Sequence, residues 1–481
     1  MTMRFRIASI FIAAALVLSC GVLAAGHVSL YAQREAVTLE ETTLLGDVSA
    51  VEGVQVEIHT QLINQLFWDT RYTAGTQPVI HTDYTHYWSE QPNYREWDRD
   101  VLRADFCGSM GVTSPEWEEV DQFGMQKPFN DVASRCPAGT ENYTERVRLR
   151  DYYEYFPIYV STVDILPDGG SYYLDGSESV EMMMQDFLRS QFRFPVPEDL
   201  WVEFTVGKDA SGAVTMLGTG SVDDYNWESL GISTVRTEAG LFFTLSPDMR
   251  ADGTALDFSH CTVERGLYFL PITLTPYEGE DFSDTENLLT VSLDTEHFRT
   301  VCPIDADADR VSLYQSDDGN WLYLLSQQGE EATLTVLSAD TGEITSQVTL
   351  FTLEDRETQA LSRTYLQEGY LIATRSDGAF ALVTVDGAGQ AEISLAGDFA
   401  PAQALECYMD TPVFDYDGER LAFADLAQQF NGCSFFLGVV SAQGMEYLGK
   451  YLHNQDLDGI RFNSCSPVDN DPLAVRLPED E

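Results

Sequence analysis

Along the carboxy-terminal half of the chain, short apolar runs alternate with acidic or glycine-bearing breaks, and the same unit comes round three times. The first unit starts at Val311 to Leu313 and turns at Asp317-Asp318-Gly319. It continues through Trp321 to Leu325, Ala332 to Leu337, a turn at Asp340-Thr341-Gly342, and Ile344 to Leu350. The second comprises Arg363 to Leu366, Glu368-Gly369, Tyr370 to Thr374, Asp377-Gly378, Ala379 to Val385, Asp386-Gly387 and Ala391 to Leu395. The third runs Val413 to Tyr416, Asp417-Gly418, Arg420 to Ala424, Phe435 to Val440, Gln443-Gly444 and Met445 to Leu452. Apolar runs around Asp-Gly breaks predict hairpins, so each unit predicts four short strands. The first-turn glycines Gly319, Gly369 and Gly418 recur at a period of about 50 residues. Four-stranded units at that period predict an all-β fold of the β-propeller kind. A β-sandwich shares the short strands but not the repeated spacing.

The amino-terminal half is less regular but still β in pattern. Val54, Val56 and Ile58 alternate with polar residues, and Leu66 to Tyr72 and Val79 to Trp88 read as further strands. Hairpin patterns flank Asp209-Ala210-Ser211-Gly212 (Trp201 to Val206, Val214 to Leu217) and Glu238-Ala239-Gly240 (Ile232 to Thr237, Leu241 to Leu245). One helix is predicted over Ser179 to Phe192, where Val180, Met183, Met184, Phe187 and Gln191 fall at helical spacing and Ser177 or Ser179 supplies an N-cap. Residues 89–150, rich in Glu, Asp, Asn and Pro, read as an insertion over one face. Loops on a rigid scaffold carry binding, so that insertion is the expected contact surface. The stretch 45–476 suits about seven or eight irregular blades. The alternative is an amino-terminal β-domain followed by a smaller propeller-like carboxy-terminal domain.

Ahead of this body, Arg4 and Arg6 precede an apolar run from Ile7 to Ala25. At roughly 19 residues it approaches the length of a membrane-spanning helix. Basic residues lie on its amino side, while Glu35, Glu40 and Glu41 follow it, an asymmetry that puts the amino terminus in the cytoplasm and the body outside. Residues 1–33 are therefore expected to form a single-pass anchor or a signal segment. Val17-Leu18-Ser19-Cys20 resembles a lipobox, which would make Cys20 a lipid-modified residue, and a cleaved secretory signal is a further reading. All three place the body outside the cytoplasmic membrane.

Charge sharpens the picture. There are 78 acidic and 27 basic residues, a formal net charge of −51. Such a surface repels phosphate backbones, and no basic patch offsets it, so nucleic acid is excluded as a partner. It equally repels anionic lipid headgroups, which holds the body off the membrane that anchors it. Solubility accounts for the excess, with a general attraction for cations as the sharper reading. An apolar fraction of 44% with 12% aromatic residues means a packed core rather than a disordered chain.

Candidate chemistry is sparse. Cys107, Cys136, Cys261, Cys302, Cys407, Cys433 and Cys465 form no Cys-x-x-Cys, which removes zinc ribbons and thioredoxin-like sites. An outer compartment permits disulfides, with Cys107–Cys136 and then Cys407–Cys433 the natural local pairs. His81, Asp83 and His86 share a predicted strand, but positions five apart face opposite sides, so only His81 and Asp83 can meet. Asp305-Ala306-Asp307-Ala308-Asp309 imitates the start of a calcium loop. Arg310 stands where the turn needs Gly, and Ser316 where a bidentate Glu is needed. No nucleophile elbow, His-Glu-x-x-His or phosphate loop occurs, and Gly387-Ala388-Gly389 lacks the helix that dinucleotide binding requires. Tyr152-Tyr153-Glu154-Tyr155-Phe156 and Tyr84 to Trp88 could stack on sugars, yet such residues also pack on sheets. A glycosidase pair of carboxylates needs no fixed spacing, so it remains an alternative without named residues.

The repeated units resemble blades of the broad WD40-like and quinoprotein-like propeller superfamily. Val336-Leu337-Ser338-Ala339-Asp340-Thr341-Gly342-Glu343 is similar to its blade-ending strand and turn, and the likeness covers Val311 to His453. It implies the fold and no ligand or catalytic residue. Gly342 is followed by Glu343-Ile344-Thr345-Ser346 without tryptophan, so the likeness does not extend to a quinone cofactor. Asn287 to Ile304, with the unit after it, also resembles membrane-anchored outer proteins of Gram-positive gut anaerobes. The expectation is an extracytoplasmic binding or scaffold module, accessory to an envelope protein or membrane complex, with no cofactor and no metal. A glycan hydrolase and a calcium-dependent adhesion or sensor module are the alternatives.

Overall fold

The computed structural model describes residues 14–26, 28, 38–62, 66–85, 101–106, 126–163, 171–173, 180–221, 229–245, 256–276, 288–356, 358–427, 434–453, 460–462 and 473–478. The fold is all-β: among the described residues there are seven sheets, mostly antiparallel, with a few short helices. The three repeated units each form a sheet whose strands follow chain order. The first is Asp309–Gln315, Trp321–Gln328, Glu331–Ser338 and Ile344–Thr352. The second is Leu361–Gln367, Tyr370–Arg375, Ala379–Val385 and Ala391–Asp398. The third is Val413–Tyr416, Arg420–Leu426, Ser434–Ser441 and Gly444–His453. Gly319, Gly369 and Gly418 take φ of 74°, 81° and 101°, the left-handed backbone these tight first turns require. The third sheet carries a fifth strand that the repeat did not announce. Leu39–Gly46 pairs antiparallel with Gly444–His453, from Leu39 opposite His453 to Gly46 opposite Tyr447.

The chain divides into two compact units. One takes Met1–Trp97, Asp377–Leu382 and Ser394–Glu481. Its core sets Val54, Val56 and Ile58 with Phe435, Leu437, Val439, Leu473 and Val475. Ser434–Ser441 is buried along its whole length, which explains why it reads as an unbroken apolar run rather than an alternation. In the same unit Gln55–Leu62 hairpins with Leu66–Thr73. Its other edge takes two late segments, Ile460–Phe462 and Leu473–Arg476.

The other unit takes Asp98–Ser376 and Val383–Ile393. Trp201–Lys208 lies between Tyr143–Arg148 and Val214–Ser221, and its alternation turns Val202, Phe204 and Val206 inward. The predicted helix is present as Val180–Gln191, burying Val180, Met184, Phe187 and Leu188. Two polar side chains dock it: buried Gln185 accepts from Val160 N at 3.3 Å, and Arg189 Nε donates to Ile158 O at 2.7 Å. Of the stretch expected as an insertion, residues 101–106 and 126–150 are built into this unit. Leu102–Asp105 pairs with Tyr159–Val163, Gln126–Arg135 is helical, and Leu102, Ala104, Phe129, Val132, Val147 and Leu149 are core residues. Each described element there buries one apolar stripe within a polar composition. Residues 89–100 and 107–125 of that stretch lie outside the described residues.

Of the apolar segment near the amino terminus, residues 14–26 are helical and exposed, while residues 7–13 lie outside the described residues. Among the described residues no helix is long and apolar enough to cross a membrane.

Candidate functional site

Three hairpin turns converge on one side of the second unit. The turn after Ile232–Thr237 brings Thr237, Glu238 and Gly240. The turn after Asp309–Gln315 brings Asp318, Gly319 and Asn320, and the turn after Glu331–Ser338 brings Ala339 and Asp340. Beneath them runs Gly266–Pro276, whose Ile272 and Leu274, two positions apart, face the same way. With Arg236 and Gln315 these groups line a pocket of about 740 Å³.

Local chemistry sets the turns. Ser316 Oγ donates to Asp318 Oδ1 at 2.6 Å, Asn320 N donates to the same oxygen at 3.1 Å, and Asn320 Nδ2 to Oδ2 at 2.7 Å. The Ser316 hydroxyl first, then Asn320, holds the Asp318 carboxyl below the ordinary carboxylate range, so it is a fixed anion. Ala339 N donates to Asn320 O at 2.9 Å, which ties the second turn to the third, and Gly342 N closes the third onto Ser338 O at 2.8 Å. The carboxylates of Glu238 and Asp340 are exposed and make no hydrogen bond or ion pair among the described residues. The pocket thus presents three carboxylates and one guanidinium beside a small aliphatic wall. An anion as firmly ionised as Asp318 does not serve as the proton donor of glycoside hydrolysis.

The calcium-like run is put to another use. Buried Arg265 donates from Nη1 to Asp305 O and Ala306 O (2.8 and 2.9 Å) and from Nη2 to Ala308 O (2.6 Å). Arg356 Nη2 reaches Asp309 Oδ2 at 2.8 Å and Asp307 O at 2.9 Å, and Gln328 Nε2 donates to the Asp305 carboxylate. Carbonyl and carboxylate oxygens of the kind calcium needs are here turned onto guanidinium groups. Arg310, standing where a calcium loop has glycine, does take left-handed backbone, at φ 49°.

His81 and Asp83 meet as expected on the exposed face of the strand Val79–Thr85, with Nε2 and Oδ2 3.2 Å apart, while His86 lies outside the described residues. Among the described residues no cluster of three or more His, Cys, Asp or Glu is placed to hold a metal. Cys136, Cys261, Cys302 and Cys407 are free thiols, and Cys107, Cys433 and Cys465 lie outside the described residues. Burial pushes Cys407 up to about 12, so it is an unreactive thiol. The aromatic run is structural. Tyr152 donates its hydroxyl to Asp131, Lys127 covers the Tyr153 ring at 5.5 Å, and Phe156 is buried against Phe106 with centroids 4.8 Å apart. Residues 86–88 of the other aromatic run lie outside the described residues. The pocket residues were visible in the sequence as turn formers. Nothing there showed that three turns, separated by as much as a hundred positions, would meet.

No protein-family model matches the chain, and no curated protein matches it. Among solved structures it is similar to a protein of Bacteroides fragilis assigned provisionally as a 6-phosphogluconolactonase. That match has 11% identity and a TM-score of 0.29, and covers 86% of this chain and 99% of the other. It is also similar to TolB of Acinetobacter baumannii, with 10% identity, a TM-score of 0.18, and coverage of 60% and 64%. BamB of Moraxella catarrhalis matches with 11% identity, a TM-score of 0.15, and coverage of 53% and 81%. Likenesses this loose lend no function to the pocket.

Proposed function

We propose that the chain is a membrane-tethered binding module of β-propeller type, with its body outside the cytoplasm. In this reading it serves as an accessory to an envelope protein or membrane complex and takes its ligand in the hairpin-end pocket. The observation that carries the reading is that pocket. At about 740 Å³ it has the size of small-molecule and side-chain sites, and it is built from turns on a rigid sheet scaffold. The propeller assignment is supported by the three successive four-stranded sheets in chain order. The tether is supported by the apolar run itself. Within it Leu16, Val17, Leu18, Val22 and Leu23 are each more than 60% exposed on one helix, a surface suited to lipid.

The test is site-directed photocrosslinking in intact cells, followed by purification in detergent. A photoreactive residue at Asp340, on the pocket rim, is expected to give one reproducible adduct. The same residue at Asp386, on an exposed turn away from the pocket lining, is expected to give none. No adduct at Asp340, or the same adducts from both positions, overturns the proposal.

A further inference from the structure

We infer that Glu41, Tyr447, Tyr451 and Tyr72 form a site for a hard trivalent cation, and that iron(III) is the ion it fits. None of the four lines the hairpin-end pocket, so the inference stands apart from the role given to that pocket.

The four side chains come from three strands of one unit. Tyr447 and Tyr451 stand on Gly444–His453 an even number of positions apart, so they face the same way. Register sets Glu41 of Leu39–Gly46 directly opposite Tyr451, and Tyr72 arrives on Leu66–Thr73. Tyr447 Oη lies 2.8 Å from Glu41 Oε1 and 2.7 Å from Tyr451 Oη, while Tyr72 Oη lies 3.5 Å from Glu41 Oε2. Gly449, between the two tyrosines, makes the convergence possible. Its backbone is not left-handed, so the main chain does not call for glycine there. A Cβ at that position would lie 2.1 Å from Tyr447 Oη. The glycine clears the path along which the Tyr447 ring reaches its partners.

Geometry and charge select the ion. A hard cation in octahedral coordination holds oxygens at about 2.0–2.1 Å, which sets neighbouring oxygens about 2.9 Å apart. The spacings of 2.7 and 2.8 Å around Tyr447 Oη fit that edge. Every donor is oxygen, which serves zinc and copper poorly, since they favour nitrogen and sulfur. Only one donor is a carboxylate, too few for calcium. Tyr447 and Tyr451 are fully buried and Tyr72 nearly so, and burial raises all three phenols. Their protons therefore yield to a cation of high charge density rather than to magnesium. Iron(III) on the Glu41 carboxylate and the phenolates of Tyr447 and Tyr451 balances three positive charges with three negative. Two protons leave to solvent, and Tyr72 keeps its own. Glu41 is half-buried on an edge strand and forms the side open to water.

The full chain in detergent, cleared of metal by a chelator, is titrated at neutral pH with iron(III) supplied as its nitrilotriacetate complex. The readout is the visible charge-transfer absorption that iron(III) phenolates give and iron(III) carboxylates lack. Iron held loosely by a chain of formal charge −51 therefore stays silent. The expected result is a band that saturates at one iron per chain and survives excess magnesium or calcium. Tyr447→Phe keeps the ring and removes one oxygen, and it is expected to abolish the band. Glu41→Gln keeps all three phenols and is expected to weaken binding at least tenfold. Tyr408→Phe, at an exposed tyrosine outside the cluster, is expected to change nothing. Cooperative melting well above the titration temperature checks that each variant is folded. No saturable band, an equal band in Tyr447→Phe, parental affinity in Glu41→Gln, or loss of the band in Tyr408→Phe or to magnesium overturns the inference.

Discussion

Glu41 is the hub of a buried hydroxyl network. Tyr447 Oη donates to its Oε1 at 2.8 Å, Tyr72 Oη lies 3.5 Å from its Oε2, and the Tyr447 and Tyr451 hydroxyls are 2.7 Å apart. Burial first, then the Glu41 charge, pushes Tyr72 up to about 12; burial likewise raises Tyr447 and Tyr451. The unfolded chain gives up these protons near the ordinary tyrosine value of about 10, while the folded chain keeps them. Stability from this cluster is therefore full below pH 10 and drains away as pH rises toward 12 and beyond. Urea unfolding midpoints measured from pH 8 to 11.5 should fall above pH 10. Tyr447→Phe should make that fall shallower by about one proton's worth of slope, and an unchanged slope would remove Tyr447 from the account. None of this was legible in the sequence, because Glu41 and Tyr447 stand at opposite ends of it. The Asp305–Asp309 run shows the converse. Its acidic spacing was plain, but the groups that claim it, Arg265 and Arg356, arrive from elsewhere in the fold.

Elements were legible where their partners were local. Each strand of the three repeated units was marked by its own apolar run and its own turn, and each pairs with its neighbour in sequence. The helix Val180–Gln191 was marked by spacing and an N-cap serine. What escaped were edge strands recruited from a distance: Leu39–Gly46, Ile460–Phe462 and Leu473–Arg476 take hydrogen-bonding partners set by topology rather than by neighbouring sequence. Leu39–Gly46 ends on a residue that admits no substitute. Gly46 has φ 77°, and a Cβ there would lie 1.8 Å from Glu446 O, a main-chain atom that cannot step aside. Gly46→Ala adds roughly 1–2 kcal/mol of left-handed strain to that clash. It should free the strand's end, with hydrogen exchange at Thr42 to Leu45 rising at least tenfold. Exchange unchanged from the parent would mean that the strand tolerates the shift.

For the molecule as a whole, like charge works against compactness. A formal −51 on 481 residues means mutual repulsion that salt screens, since the Debye length shrinks from about 30 Å at 10 mM to about 8 Å at 150 mM. The melting temperature should therefore climb as sodium chloride rises through that range. A flat or falling curve would show that ion pairs such as Arg135 with Asp131 and Glu145 outweigh the repulsion. Synthesis order adds a constraint of a different kind. The strand Leu39–Gly46 leaves the ribosome some four hundred residues ahead of Gly444–His453, its partner. At about 5–20 residues per second, that is a wait of roughly 20 to 80 seconds with one edge unpaired. That sheet is thus completed late, with only the pairing of Ile460–Phe462 and Leu473–Arg476 onto Gln55–Leu62 still to follow, and until then the early strand is open to pairing with its counterpart on a neighbouring nascent chain.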